Sequence, residues 1–102
     1  MIENFKDLNV SIQYNYLQLL IERINQQLDI NNIHIIGVIF HECLNEYSIM
    51  VSFGGYLKGH LLYSDTLETL YKHLDRWEGM NYLDLLIEIG KNIDLSKKCL
   101  KL

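Results

Sequence analysis

Alanine and proline are both absent from this chain of 102 residues, and cysteine occurs twice. Without proline no turn has its φ pinned and no helix is broken from within, so breaks fall to glycine, asparagine and capping residues. Without alanine the core has to be assembled from large side chains, here thirteen Ile and eighteen Leu against three Val. The same bias, with abundant Asn, Lys and Tyr, matches AT-rich coding of the kind found in low-GC bacteria and mobile elements. Two cysteines, Cys43 and Cys99, are too few for a disulfide scaffold, and the expectation is a pair of reduced thiols. The longest apolar runs, Ile35–Phe40 and Leu83–Ile89, fall far short of the roughly 18 residues that span a bilayer. Positions 1–20 lack a basic start followed by an apolar stretch and a small-residue cleavage site, so no secretory signal is read and the expected location is cytoplasmic.

Positive charge is also scarce. Nine Lys and Arg stand against thirteen Asp and Glu, a net charge of −4. Phosphate contacts need clustered cations, so direct nucleic-acid binding is disfavoured.

What is present is enough apolar chain for one folded domain over residues 1–102, burying roughly 60–65 % of the unfolded surface. The acids are unevenly placed. Residues 64–94 hold seven (Asp65, Glu68, Asp75, Glu78, Asp84, Glu88, Asp94) against Lys72, Arg76 and Lys91, a balance of −4. Residues 95–102 carry +3 from Lys97, Lys98 and Lys101, and residues 1–63 carry −3 from three basic and six acidic side chains.

Residues 12–28 have helical spacing, with Ser11 as the expected N-cap and Tyr14, Leu17, Ile21, Ile24 and Leu28 on one face. Ile12, Tyr16 and Leu19 form a second stripe, so this helix is either covered twice within the domain or offers a face to a partner. Residues 2–9 extend it or make a separate turn that points Phe5 and Leu8 inward. The period then changes to that of strands. Ile33–Phe40 is interrupted by Gly37, and Tyr47–Phe53 alternates, with Tyr47, Ile49, Val51 and Phe53 opposite Ser48, Met50 and Ser52. Gly54-Gly55 marks a tight turn into Tyr56–Tyr63, where Leu57, Leu61 and Tyr63 oppose Tyr56, Lys58 and His60. Residues 66–77 are helical, with Asp65 and Glu68 as a capping pair and Gly79 as the stop. Residues 82–89 fit a helix capped by Asn81 and ended by Gly90, although Leu83, Leu85, Ile87 and Ile89 also alternate like a strand. Residues 91–102 read as frayed or loosely docked. The predicted architecture is α+β: an N-terminal helix, a three-stranded antiparallel meander and two C-terminal helices.

Motifs that would dictate chemistry are missing. There is no CxxC, HxxxH or HExxH pattern, and no serine sits in a nucleophile elbow or SxxK context. His41, Cys43 and His60 are the nearest thing to a metal-binding or catalytic set, with His60 reached only across the sheet. Asp84 and Glu88 share a helix stripe but read as the solvated edge of an apolar helix. Gly54-Gly55 leads into a strand, which excludes a phosphate cradle at a helix N-terminus. Neither cofactor nor metal is expected, and no catalytic residue is assigned.

The seven tyrosines and single tryptophan remain. Rings of this kind combine large contact area with a polar tip and recur at interfaces. The expectation is a non-catalytic binding protein whose acidic, aromatic surface (Asp65, Glu68, Asp75, Trp77, Glu78, Asp84 and Glu88, with Tyr16 and Tyr56) meets a basic protein partner. An immunity protein or antitoxin that neutralises a basic nuclease toxin is the concrete form, and a phage or mobile-element inhibitor of a nucleic-acid enzyme is the close variant. A self-associating structural domain, for instance a homodimer, is the alternative from another class. A small metal protein or enzyme centred on His41, Cys43 and His60 is the third.

Overall fold

The computed structural model describes residues 4–29, 32–55 and 57–94. A 3-10 turn at Phe5–Asp7 leads into α1 (Val10–Leu28), β1 (Ile33–His41), β2 (Glu46–Phe53), β3 (Leu57–Ser64), α2 (Leu67–Glu78), α3 (Tyr82–Asn92) and the two-residue β4 (Ile93–Asp94). The strands form one antiparallel sheet in the order β1-β2-β3-β4. The mixed α and β architecture agrees with the sequence reading, but among the described residues the sheet has four strands, not three. Gly90 does not stop α3: the helix continues to Asn92, whose side-chain amide donates to the Glu88 carbonyl at 2.8 Å. Only then does Ile93 become extended, pairing with Leu61 while Asp94 pairs with His60.

Among the described residues asparagine starts two of the three α-helices. Asn9, not Ser11, caps α1, its Oδ1 accepting from the Ile12 N–H at 3.0 Å. Asn81 caps α3 as expected, accepting from the Asp84 N–H at 2.9 Å. At α2 the cap is Thr66, which accepts from the Thr69 N–H, and Asp65 lies one residue outside. The residue with extended backbone immediately before the first turn is the one whose side chain can reach back, so Thr66 displaces the predicted Asp65.

The 3-10 turn is a separate element, not an extension of α1. The Gln13 side-chain amide, itself buried, donates to the carbonyls of Phe5 and Leu8 at 3.0 and 3.1 Å. That bond pair seats the Phe5 ring flat against Tyr71 of α2, with centroids 4.2 Å apart. Asn25 does a similar job on the sheet. Its amide accepts from the Ile35 N–H at 2.8 Å and donates to the Ile35 carbonyl at 2.9 Å. A side-chain amide thus takes the place of a neighbouring strand for that residue of β1, tying α1 to the sheet and satisfying a buried peptide group.

The core lies between one face of the sheet and helices α1 to α3. Ile35, Ile49, Val51 and Leu61 from the strands meet Leu17, Ile21, Ile24 and Leu28 of α1, Leu70, Leu74 and Trp77 of α2 and Leu85 of α3, all fully or almost fully buried. Burying side chains of this size stabilises by about 1.5–3 kcal/mol each before chain entropy is set against it. The second stripe of α1 is not covered: Ile12, Tyr16 and Leu19 are 39–42 % exposed.

Candidate functional site

The predicted docking residues separate once placed. Trp77 is a correction: its ring is completely buried in the core and cannot anchor a partner. The spacing that puts Leu67, Leu70, Tyr71, Leu74 and Trp77 on one face of α2 is the reason, because that whole face packs inward. Tyr56 lies outside the described residues, whereas Tyr16 is exposed on α1.

Several acids have local structural roles. Glu68 is in the first turn of α2 and Asp84 in the first turn of α3, where negative charge complements the helix dipole, and Asp84 also accepts from the Asn81 amide at 3.1 Å. Glu88 pairs with Arg76 across the α2–α3 junction, with oxygen–nitrogen distances of 3.2 and 3.5 Å. That hydrogen bond holds the Glu88 carboxyl below the usual carboxylate range, against the opposing effect of burial. Asp75 and Glu78 differ. They sit in the last turns of α2, where the dipole disfavours negative charge, and among the described residues neither has an ion pair. Across the short turn that follows, Leu83 and Ile87 of α3, one turn apart, are 66 % and 50 % exposed.

A second cluster lies on the opposite face of the sheet. His41 Nε2 is 2.7 Å from Ser48 Oγ, and the same oxygen is 3.0 Å from His60 Nδ1. The two imidazoles meet edge to face at 4.8 Å, and the Tyr63 ring closes the group at 5.4 and 5.9 Å. Two irregularities in the ladder create it. In β1, Ile35 pairs with Val51 and Gly37 with Met50, so Ile36 is an extra residue. Beyond it the inward positions shift from odd to even, and His41 is turned away from the core. In β3, Leu61 pairs with Ile49 and Ser64 with Tyr47, so Leu62 and Tyr63 together oppose Ser48. Leu62 absorbs the kink at φ 57° and packs against the core, which sends Tyr63 to the outer face. The expectation that Tyr63 shares a face with Leu57 and Leu61 is therefore corrected.

The cluster is shielded enough to perturb its members. Burial, reinforced by the charge of His41, pushes the His60 imidazole below its ordinary value, with Asp94 opposing. Burial also raises the Tyr63 phenol, assisted by the Asp94 and Glu46 carboxylates. Ser48 is fully buried, so its hydroxyl is held between two rings and is not presented as a nucleophile.

The third member of the predicted metal set does not join it. Cys43 lies in the β1–β2 turn and is disulfide-bonded, against the expectation of a reduced thiol, while Cys99 lies outside the described residues. Among the described residues no group of three or more His, Cys, Asp or Glu side chains is placed to hold a metal ion. At the other end of the sheet Asp29, Asn32, His34, Ser52, Gly54 and Gly55 line an open groove, with Asp29 and His34 paired at 2.9 Å. Among the described residues no helix is long and apolar enough to cross a membrane. Comparison with family models, with curated proteins and with solved structures gives no match for this chain.

Proposed function

We propose that the protein is a non-catalytic binding protein that neutralises a basic protein partner, in its most concrete form an immunity protein or antitoxin against a nuclease toxin. The observation that carries this reading is the junction of α2 and α3. Asp75 and Glu78 bring negative charge to the negative end of a helix, where it contributes nothing to folding, and Leu83 and Ile87 on the helix that follows are exposed. Charge that steers an encounter next to apolar side chains that bury on contact is the combination expected of such a surface. Asp65, Glu68, Asp84 and Glu88 supply the surrounding field, and Tyr16 belongs to a separate apolar stripe. A phage or mobile-element inhibitor of a nucleic-acid enzyme would use the same chemistry.

The test is capture of basic proteins from the source cell on the immobilised protein, with Asp75→Lys/Glu78→Lys as the control. The expected result is a strongly basic protein retained by the native chain, lost from the control, and bound more slowly as salt rises. Retention that ignores both the charge reversal and the salt would end the proposal.

The uncovered stripe Ile12–Tyr16–Leu19 favours a second reading, self-association through α1. Sedimentation of the native chain and of Tyr16→Glu at micromolar concentration separates the two: a native monomer removes self-association.

A further inference from the structure

We propose that the outer face of the sheet carries a proton-responsive latch: a directed chain, His41 Nε2–H to Ser48 Oγ and Ser48 O–H to His60 Nδ1, that admits one imidazolium and opens when a second forms. The Ser48 hydroxyl has one proton and two ring nitrogens within reach, at 2.7 and 3.0 Å. It can donate to only one of them, so the other ring must donate to it. Burial and the neighbouring His41 both disfavour the cationic form of His60, so in the proposed latch the acceptor is His60 Nδ1 and the donor is His41. His41 Nδ1 lies outside this hydrogen-bonded chain, so a proton there leaves the bond made through Nε2 unchanged.

A second proton breaks the pattern. With His60 Nδ1 protonated, both rings direct N–H groups at Ser48 Oγ, and the hydroxyl proton is left without its acceptor on a fully buried residue. Two cations would also stand with ring centroids 4.8 Å apart. The other charged and titratable groups on this face are Glu46 on β2, Tyr63 on β3 and Asp94 on β4, with Lys58 and His34 farther along it, each paired with Ser52 in the ladder. Asp94 favours the His60 cation, yet its effect is smaller than those of burial and His41. The helices pack on the other face of the sheet. Because β1, β2 and β3 each contribute one member of the chain, opening it unlinks the three strands on this side. The response belongs to mildly acidic conditions, below the ordinary histidine value of about 6.5. It is independent of any partner.

Imidazole nitrogen spectra of the full chain, recorded from about pH 8 down to about pH 4.5 together with amide exchange, test this. At the alkaline end both His41 and His60 should be Nε2–H tautomers. The native protein should titrate in two steps separated by at least about one pH unit, and exchange at Ile39, Ser48 and Leu62 should rise about tenfold across the second step only. In Ser48→Ala the two steps should draw together and the acid-dependent rise should vanish. His60→Gln keeps an acceptor for the hydroxyl but cannot titrate, so His41 should show a single step with no acid loosening. A single shared midpoint in the native chain, an Nδ1–H tautomer at His60, an unchanged separation in Ser48→Ala, or acid loosening that survives in His60→Gln would each overturn the latch.

Discussion

The two faces of this sheet are held by different kinds of force. The inner face places Ile35, Ile49, Val51 and Leu61 against three helices, and its stabilisation is dispersed over many contacts without directional demands. The outer face near β1–β3 rests on a few directional bonds around one buried hydroxyl, joined by two imidazoles and a phenol. An apolar face is indifferent to pH and sensitive to lost volume. A hydrogen-bonded face has the reverse sensitivities, since its energy depends on which nitrogen holds a proton. Substitutions that probe each face can sharpen this contrast or break it.

The largest loss is expected at Trp77. Trp77→Ala empties the centre of the core and should cost about 3–5 kcal/mol, a large share of the roughly 5–15 kcal/mol that holds such a domain together. Urea unfolding measures it, and the loss should exceed that of any substitution on the outer face. A loss below about 1 kcal/mol would contradict the assignment of this ring to the core.

Next comes Asn25→Ala. The Ile35 N–H and carbonyl both lose their partner in a buried site, and about 2–4 kcal/mol is expected for two groups left unsatisfied. Asn25→Asp keeps the acceptor but replaces the amide donor with a carboxylate oxygen facing the Ile35 carbonyl, so it should be at least as harmful at neutral pH. Equal, negligible effects of both variants in urea unfolding would show that water takes over the role of the Asn25 amide.

How much of this was legible beforehand depends on distance along the chain. Helix periodicity placed the core stripes of α1 and α2, and alternation in 47–53 put Ser48, Met50 and Ser52 on the face away from Ile49. Such signals are local, and so they survive in the sequence. The bulges at Ile36 and Leu62 do not, because they are settled by which strands pair and in what register. Simple alternation therefore put Tyr63 on the wrong face, and although it grouped His41 with His60 across the sheet, it added Cys43 and missed the Ser48 hydroxyl that joins the two rings. The Asn25–Ile35 bond pair is a contact between a helix and a strand edge, equally invisible to periodicity. The acidic bias of 64–94 was plain, whereas its division into capping, paired and uncommitted carboxylates needed coordinates. Trp77 was misjudged because a ring on an apolar stripe reads the same whether core or partner covers it.

Ser48→Ala tests the polar face, with an expected loss of about 1–2 kcal/mol at pH near 8. The sign of its pH dependence follows from His60. Its folded-state pKa lies below the ordinary value, so the unfolded chain binds the proton first. Native stability must then fall as pH drops from above about 6.5 through the lower, folded value. If the Ser48 hydroxyl donates to His60 Nδ1 as proposed, its removal takes away a bond that favours the neutral ring, and this slope should flatten. Urea midpoints measured near pH 8 and near pH 5 should therefore be closer together in the variant than in the native protein.

Glu88→Gln acts in a different window and more weakly. The Glu88 carboxyl is held below its usual range by Arg76, so its contribution is present above the ordinary carboxylate value of about 4.3 and is lost as pH falls through the depressed one. The native protein should exceed the variant in thermal midpoint at neutral pH, and the two should converge by about pH 3. A gap that persisted in strong acid would mean that Glu88 acts through packing and not through its charge.

The smallest effect on folding is expected where the functional effect should be greatest. Asp75→Asn/Glu78→Gln removes two negative charges from the negative end of α2, and the dipole argument makes this neutral or slightly stabilising, within about 0.5 kcal/mol. Glu68→Gln at the start of the same helix should be slightly destabilising by the same reasoning, which supplies an internal control of opposite sign. If carboxylates at the C-terminal end of α2 serve recognition, the double variant should lose about tenfold in association rate with a basic partner at low salt while keeping its urea midpoint. A variant that unfolded earlier would instead place Asp75 and Glu78 among the groups that hold the fold, leaving the α2–α3 junction with no charge free for a partner.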